Sequence, residues 1–546
     1  MNLGNKIIYQ IYPKSFQDTN GDGIGDLQGV IRHLDYIKEL GADYLWLTPF
    51  LLSPQYDNGY DVADYRAIDP RYGTMEDFDQ LVEEAGKRGM YLMMDMVFNH
   101  CSTEHEWFQK ALAGDPYYRD FFIIRKGKDG GLPPTNWVSK FGGSAWGYLP
   151  GTDEYYLHLF HVSQADLNWE NPCVRQACCD IVRFWMDKGV KGFRFDVINL
   201  ISKPDVYEDD LTGDGHRFYT DGPRIHQFLH ELNRGSFGRD PEVITVGEMA
   251  SSNLENSIRY TNPQSEELSM IFDFHHLKVD YPSGNKWEIQ PFRFHDLKNN
   301  LFSWQQEMER GGGWQSLFWY NHDQPRIVSR IGDDGKYRVE SAKMLATALH
   351  GLRGTPCIYQ GEEIGMTNAG FHDISQYRDI ETLNVYNEMK LKGKTDEEIY
   401  RSLGRKSRDN ARTPMQWDNT ENAGFTDGTP WIEVNPNCAR INTLDREDPD
   451  SIFQHYRKLT ALRKELPVIS QGDVTPILEE DENLLAYRRR LGGEELWVVC
   501  NFFGKTVPVP EGILPEDGKL LLDSYPDGTW DGKTLRPYEA VMIYKK

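Results

Sequence analysis

The sequence predicts a (β/α)8 TIM barrel with an inserted subdomain after strand 3 and a C-terminal antiparallel β domain. Three observations point there: eight short apolar runs separated by helical stretches, a long gap after the third run, and a change of texture near residue 475. The runs are KIIYQIY (6–12), DYLWLTPF (43–50), MYLMMDMVFNH (90–100), VKGFRFDV (190–197), EVITVGEM (242–249), LSMIFDFHH (268–276), SLFWYNHD (316–323) and TPCIYQGEE (355–363). Near-continuous apolar runs of this length read as strands buried on both faces, hence parallel strands covered by helices. Between them, LQGVIRHLDYIKELG and MEDFDQLVEEAGKRG space apolar residues three and four apart and end in Gly, as helices do. Eight such units with right-handed crossovers give the barrel. The expected divisions are 1–100 for its first part, 101–170 for the inserted subdomain, 171–470 for the remainder with a lid-like insertion after strand 8, and 475–546 for the β domain.

A chain of 546 residues can bury more than one core. Its 60 Lys+Arg against 84 Asp+Glu give a formal charge of −24, which argues against nucleic acid or an anionic membrane as partner. No apolar run approaches the ~18 residues of a membrane span, and MNLGNKIIYQIYPKSF lacks the pattern of a secretory leader. Seven cysteines without framework spacing read as free thiols in a reducing compartment, so the cytoplasm is the expected location; the sequence leaves the oligomeric state open, with a monomer as the default.

In such a barrel the reactive side chains come from the carboxyl ends of the strands. Here those ends read MDMVFNH, GFRFDV, VGEM, WYNHD and YQGEE, which sets Asp196, Glu248 and Asp323 around one mouth beside Arg194, His100 and His322. Carboxyls gathered at one mouth suit chemistry that needs one ionised as a nucleophile and one carrying a proton as an acid. Asp196 suits the nucleophile, because Arg194 lies two residues earlier on the same strand face and its fixed cation favours the ionised form. Glu248, between Gly247 and Met249, suits the general acid/base.

MDMVFNH, GFRFDV, VGEM and WYNHD, together with QADLNWEN (164–171), resemble the short sequence blocks of the α-amylase family of glycoside hydrolases, in order. The resemblance implies retention of α configuration at the anomeric carbon. It gives Asp323 the task of distorting the sugar and holding ring hydroxyls, and gives His100 and His322 the task of donating to hydroxyls. NGYDVADY, with Asp61, and SRDNARTPMQWD, with Arg412, resemble the exo-acting α-glucosidase branch, in which such a pair closes the pocket around the terminal glucose. Tyr60 is the expected stacking platform. DTNGDGIGD (18–26) offers Asp18, Asn20, Asp22, the Ile24 carbonyl and Asp26 at calcium-loop spacing, with Gly23 at the turn. Gly29 stands where an EF-hand has Glu, so the loop is not an EF-hand. The resemblance implies a structural Ca²⁺ or Mg²⁺ there, and no cofactor for catalysis.

Val197 follows the nucleophile, and in the related oligosaccharide enzymes Val there accompanies α-1,6 rather than α-1,4 preference. The stretches GEMASSNLENSIRYTNPQSEELSMIFDFHHLKVDYPSGNKW, INLISK and DLTGDGHRFYTDGPRIHQFL resemble the branch that splits trehalose 6-phosphate into glucose and glucose 6-phosphate. A small-molecule sugar phosphate is therefore the expected partner. A protein this acidic needs local cations to hold it. Lys278, Lys286 and His276 after the sixth run and Lys203 after the fourth are the candidates, compact charges suited to phosphate. The alternative is oligo-1,6-glucosidase or dextran glucosidase activity on neutral α-1,6-glucosides.

Overall fold

The computed structural model describes residues 2–281 and 283–546; Met1 and Pro282, which fall within stretches quoted above, lie outside it. Eight parallel strands form the central sheet: β1 (Ile8–Ile11), β2 (Tyr44–Leu47), β3 (Tyr91–Met96), β4 (Gly192–Phe195), β5 (Ile244–Glu248), β6 (Met270–Phe272), β7 (Ser316–Leu317) and β8 (Thr355–Tyr359). Their spatial order is β6-β5-β4-β3-β2-β1-β8-β7, and a parallel bridge from Ile271 to Gln315 closes the ring. The expected barrel is present.

Each strand is shorter than its apolar run. The ladder of β7 ends at Leu317, so Phe318 to Asp323 leave it and carry the polar end of the run into the mouth. Buried loop and buried strand are equally apolar, so periodicity alone cannot find this boundary. The helix Met75–Lys87 starts at a capping box between Thr74 and Asp77 and buries Phe78, Leu81 and Ala85 against the barrel. The single helix expected over 27–41 is two, Leu27–Arg32 and Leu34–Glu39. They break at His33, whose ring stacks on Trp417 at 3.5 Å. A tertiary ring contact outweighs helical continuity there.

After β3 the chain builds a three-stranded antiparallel sheet from Ile124–Lys126, Glu154–Leu157 and Trp146–Tyr148, with its own core around Trp137, Trp146 and Leu157. It returns to the barrel where Gln164–Asp166 pairs with His100–Ser102. After β8, the helices Ile380–Leu391 and Asp396–Lys406 lead to a short turn, Asp409–Arg412, over the mouth. The C-terminal sheet joins β9 (Asp473–Ile477), β10 (Leu484–Leu491), β11 (Glu494–Asn501), β12 (Lys519–Asp523) and β13 (Ala540–Lys545) in the order β9-β10-β11-β13-β12, all antiparallel. Buried Arg489 of β10 pins this sheet to the barrel by donating to the carbonyls of Gly351, Ile469 and Gly472. Among the described residues no helix is long and apolar enough to cross a membrane. All seven cysteines are unpaired.

Candidate active site

β4 sets Arg194 in register with Asp95 of β3, and β5 ends on Glu248. Asp196 follows β4, anchored by its N–H to the Met96 carbonyl at 2.9 Å. The buried Arg194 guanidinium gathers three carboxylates. Its Nη1 donates to Asp95 Oδ1 at 2.6 Å and to Asp196 Oδ1 at 2.8 Å, and its Nη2 donates to Glu248 Oε2. Three anions against one cation in a dry site cannot all stay ionised without large cost. Burial pushes the Asp196 carboxyl well above the carboxylate range; Arg194 opposes this, and Glu248 and Asp95 add to it. Burial likewise raises Asp95 to about 6. Held on one guanidinium in a dry site, the Asp196 and Glu248 carboxyls form a couple whose like charges oppose joint ionisation. Asp95 escaped the sequence reading, although an acid inside the apolar run MDMVF was its signal.

A second chain of hydrogen bonds orients Tyr60, His322 and His100. Gln10 Nε2 donates to His322 Nδ1 at 2.9 Å, which leaves the ring proton on Nε2, 2.6 Å from the Tyr60 hydroxyl. Tyr60 in turn donates to Asp95 Oδ2 at 3.1 Å, and its ring lies parallel to that of His322 with centroids 5.4 Å apart. Asn99 Nδ2 donates to His100 Nδ1 at 3.1 Å, directing Nε2–H of His100 toward the Tyr60 carbonyl at 3.2 Å. Burial lowers His322 to about 3 and His100 to about 4. Both are neutral, able to donate to hydroxyls but not to protonate a leaving group.

Asp323 Oδ1 accepts from Arg412 at 2.7 Å and from Arg408 at 3.1 Å. Burial works to raise its carboxyl, yet His322 and the guanidiniums of Arg408, Arg412 and Arg194 hold it well below the usual range. Since His322 is itself neutral, the guanidiniums carry that effect. Asp323 is thus a fixed anion.

Asp61 and Arg412, expected to close the pocket around a terminal glucose, make no direct ion pair with each other among the described residues. Asp61 accepts from Ser53 Oγ at 2.9 Å and from the N–H groups of Asp57 at 3.1 Å and Tyr56 at 2.8 Å, so its carboxylate caps a turn. Asp57 faces the arginines instead, with Oδ1 3.5 Å from Arg408 Nη2 and Oδ2 accepting from Gln164 at 3.0 Å. Burial raises it to about 7 against the pull of Arg408 and Arg412. Two aspartates four residues apart in YDNGYD look alike as sequence, and only the turn separates their tasks. Arg408 was also missed, though it precedes Arg412 by one helical turn; Asp379 holds it at 2.6 Å.

The cations expected for phosphate divide. Lys203 is buried and donates to Asp166 Oδ2 at 2.9 Å, Asn99 Oδ1 at 2.8 Å and the Leu200 carbonyl at 2.6 Å, which spends its three N–H groups. His276 is lowered by burial to about 4 and donates to the Phe318 carbonyl at 2.9 Å. Neither has a charge to offer an anion. Lys286 pairs with Glu381 at 2.6 Å. Lys278, half-buried on the turn His275–Asp280 after β6, has no ion pair among the described residues, and burial lowers its ammonium. In the loop 18–26, Asp18 accepts from the N–H groups of Asn20, Gly21 and Gly23, Asn20 from that of Asp22, and Asp22 from that of Ile24. Asp26 accepts from Thr19 and caps the following helix at Gly29. The all-oxygen donor set fits a hard cation in chemistry. Among the described residues, however, no three His, Cys, Asp or Glu side chains converge to hold one.

A closed parallel barrel with an arginine-bound carboxylate couple at the ends of β4 and β5 defines a glycoside hydrolase. The α-amylase catalytic-domain model matches residues 10–472, and the chain belongs to that family. It is 54% identical over 543 residues to a trehalose-6-phosphate hydrolase of Bacillus subtilis (strain 168), covering 98% of this chain and 97% of that protein. It is 51% identical over 554 residues to an oligo-1,6-glucosidase of Parageobacillus thermoglucosidasius, covering 99% and 98%. The crystal structure of Bacillus licheniformis trehalose-6-phosphate hydrolase superposes with a TM-score of 0.95 at 55% identity, covering 99% of both chains.

Proposed function

We propose that this glycoside hydrolase converts trehalose 6-phosphate to glucose and glucose 6-phosphate with retention, through a covalent glucosyl–enzyme intermediate. The observation that carries the mechanism is the single guanidinium of Arg194 holding both Asp196 and Glu248. Asp196 attacks the anomeric carbon as Glu248 gives its proton to the departing oxygen, so the C–O bond to the phosphorylated glucose breaks as the ester to Asp196 forms. Glu248, now a carboxylate, takes a proton from water, which attacks the same carbon and releases Asp196. The neutral His100 and His322 and the anionic Asp323 hold the ring hydroxyls. Asp57, Arg408 and Arg412 close the far side of the pocket, which suits a terminal glucose. Lys278, which of the four expected phosphate cations is neither spent in hydrogen bonds nor ion-paired among the described residues, is the candidate for the phosphate of the leaving sugar.

The second reading, hydrolysis of neutral α-1,6-glucosides, draws on Val197 and on the spent charges of Lys203 and His276. Comparing kcat/KM for trehalose 6-phosphate, trehalose, isomaltose and maltose separates the two. The proposal expects trehalose 6-phosphate to lead, and a lead for isomaltose would overturn it. The oxygen-lined loop 18–26 is proposed to take Ca²⁺ or Mg²⁺ in a structural role, checked by whether added cation raises Tm and chelator lowers it. The unpaired cysteines support a reducing compartment such as the cytoplasm.

A further inference from the structure

We propose that Asp221 is a positioning residue that sets the separation of Asp196 and Glu248, by tying the turn after the nucleophile to the loop after the acid. The proposal rests on the assignment of those two groups given above. The β4–β5 ladder ends at the pair Phe195 and Gly247, one residue short of each carboxylate. Beyond it the chains diverge, one into the turn Ile198–Leu200 and the other through Met249 to Asn253 toward the helix Leu254–Thr261. Val197, at the start of that turn, is a β-branched residue held at φ 35, a strained conformation that persists only when its surroundings impose it.

Asp221 supplies the imposition. Its Oδ1 accepts from Asn199 Nδ2 at 3.0 Å and from the Tyr260 hydroxyl at 2.6 Å, and its Oδ2 accepts from Ser252 Oγ and Asn256 Nδ2, both at 3.0 Å. Asn199, fully buried, completes the clasp: its Oδ1 accepts from the Ala250 N–H at 3.0 Å and its carbonyl accepts from the Asp221 N–H at 3.0 Å. Asn199 lies three residues after the nucleophile and Ala250 two after the acid. A side chain at the neighbouring Gly222 would come within 2.0 Å of the Ser202 carbonyl oxygen, so this segment rests directly on the chain just beyond that turn. Four donors saturate the carboxylate. Asp221 therefore acts through Asn199 and the 250–256 segment, not on substrate.

Loosening the clasp displaces Glu248 from the leaving oxygen, and a shift of about 1 Å can cost ~10²-fold in rate. The test assays Asp221→Ala on the disaccharide substrate, whose leaving oxygen needs a proton, and on α-glucosyl fluoride, whose fluoride needs little. Read as kcat/KM, which reports the first step alone and not the attack of water in which Glu248 serves as base for either substrate, the expected result is a roughly 10²-fold fall for the disaccharide and a loss of no more than about threefold on the fluoride. Asp221→Asn should recover most of the rate, because the Ser252 hydroxyl and Asn256 amide can reorient. Equal losses on both substrates, or no loss, overturn the proposal. If Asp221→Ala does not fold, Asn256→Ala must show a smaller split in the same direction, and equal losses there overturn it too. Glu248→Gln assayed alongside separates the two levels. If it shows the split and Asp221→Ala does not, the positioning role fails alone; if it loses both substrates equally, the acid assignment fails with it.

Discussion

Asp95 and Arg194 are register partners on adjacent barrel strands, joined through Arg194 Nη1 at 2.6 Å, and the same nitrogen reaches Asp196 at 2.8 Å. Asp95 thus competes for the cation that holds the proposed nucleophile Asp196, and its own charge adds to the rise of the Asp196 carboxyl. Asp95→Asn removes that repulsion and lowers the value at which Asp196 ionises. The acid limb of the kcat/KM profile should move to lower pH, while kcat falls because Tyr60 loses its acceptor. A limb that stays put or moves upward would show that Asp95 does not act on the nucleophile.

The division between Asp57 and Asp61 makes two variants diverge. Asp57→Ala removes a wall of the pocket while Arg408 keeps Asp323 and Asp379, so kcat/KM should fall by about 10²-fold with Tm nearly unchanged. Asp61→Ala leaves buried donors at Ser53, Tyr56 and Asp57 without an acceptor, at about 1–3 kcal/mol each, and should lower Tm first. Thermal melts and steady-state kinetics on both proteins read the difference directly.

Lys278 and Lys203 should separate in the same way. Lys278→Ala is expected to raise KM for trehalose 6-phosphate far more than for an unphosphorylated glucoside. Lys203→Ala strands the buried Asp166 charge and should cost roughly 3–5 kcal/mol of stability without selecting between substrates. Equal KM effects of Lys278→Ala on both substrates would remove it from the phosphate site.

The acids after β8 give a pH signature of stability. Glu362 is buried, accepts from the Tyr456 hydroxyl at 2.7 Å, and is raised by burial to about 8. A carboxyl whose folded value exceeds its unfolded one binds more protons in the folded state between the two. Its stabilisation is full below about 4.5, the unfolded value, and is lost as pH rises toward 8 at up to about 1.4 kcal/mol per pH unit. Glu362→Gln should therefore flatten the stability profile between those limits in chemical denaturation. An unchanged slope would place the proton elsewhere.

Much of this was legible in the residues because barrel chemistry sits at strand ends, and the ends of runs three, four, five and seven are polar where the runs are apolar. Asp196, Glu248, Asp323, His100 and His322 all announce themselves that way. The eighth run ends the same way in GEE, yet Glu362 and Glu363 turn inward to Tyr456, Tyr9 and Tyr36, because tyrosines distant in sequence converge behind β8. Charge pairing was the less legible part. Lys203 reads as a free charge by position, but its partners Asp166 and Asn99 come from other loops, which only the folded chain brings near, whereas Asp61 is held by Ser53, Tyr56 and Asp57 of its own turn.

The most direct measurement is mechanism-based labelling with a 5-fluoro-α-glucosyl fluoride, whose slow turnover traps the glycosyl–enzyme, followed by peptide mapping. One fluoroglucosyl group is expected, attached at Asp196 and absent from Asp196→Asn. A label on Glu248 or Asp323, or steady turnover of the reagent by Asp196→Asn, would contradict it.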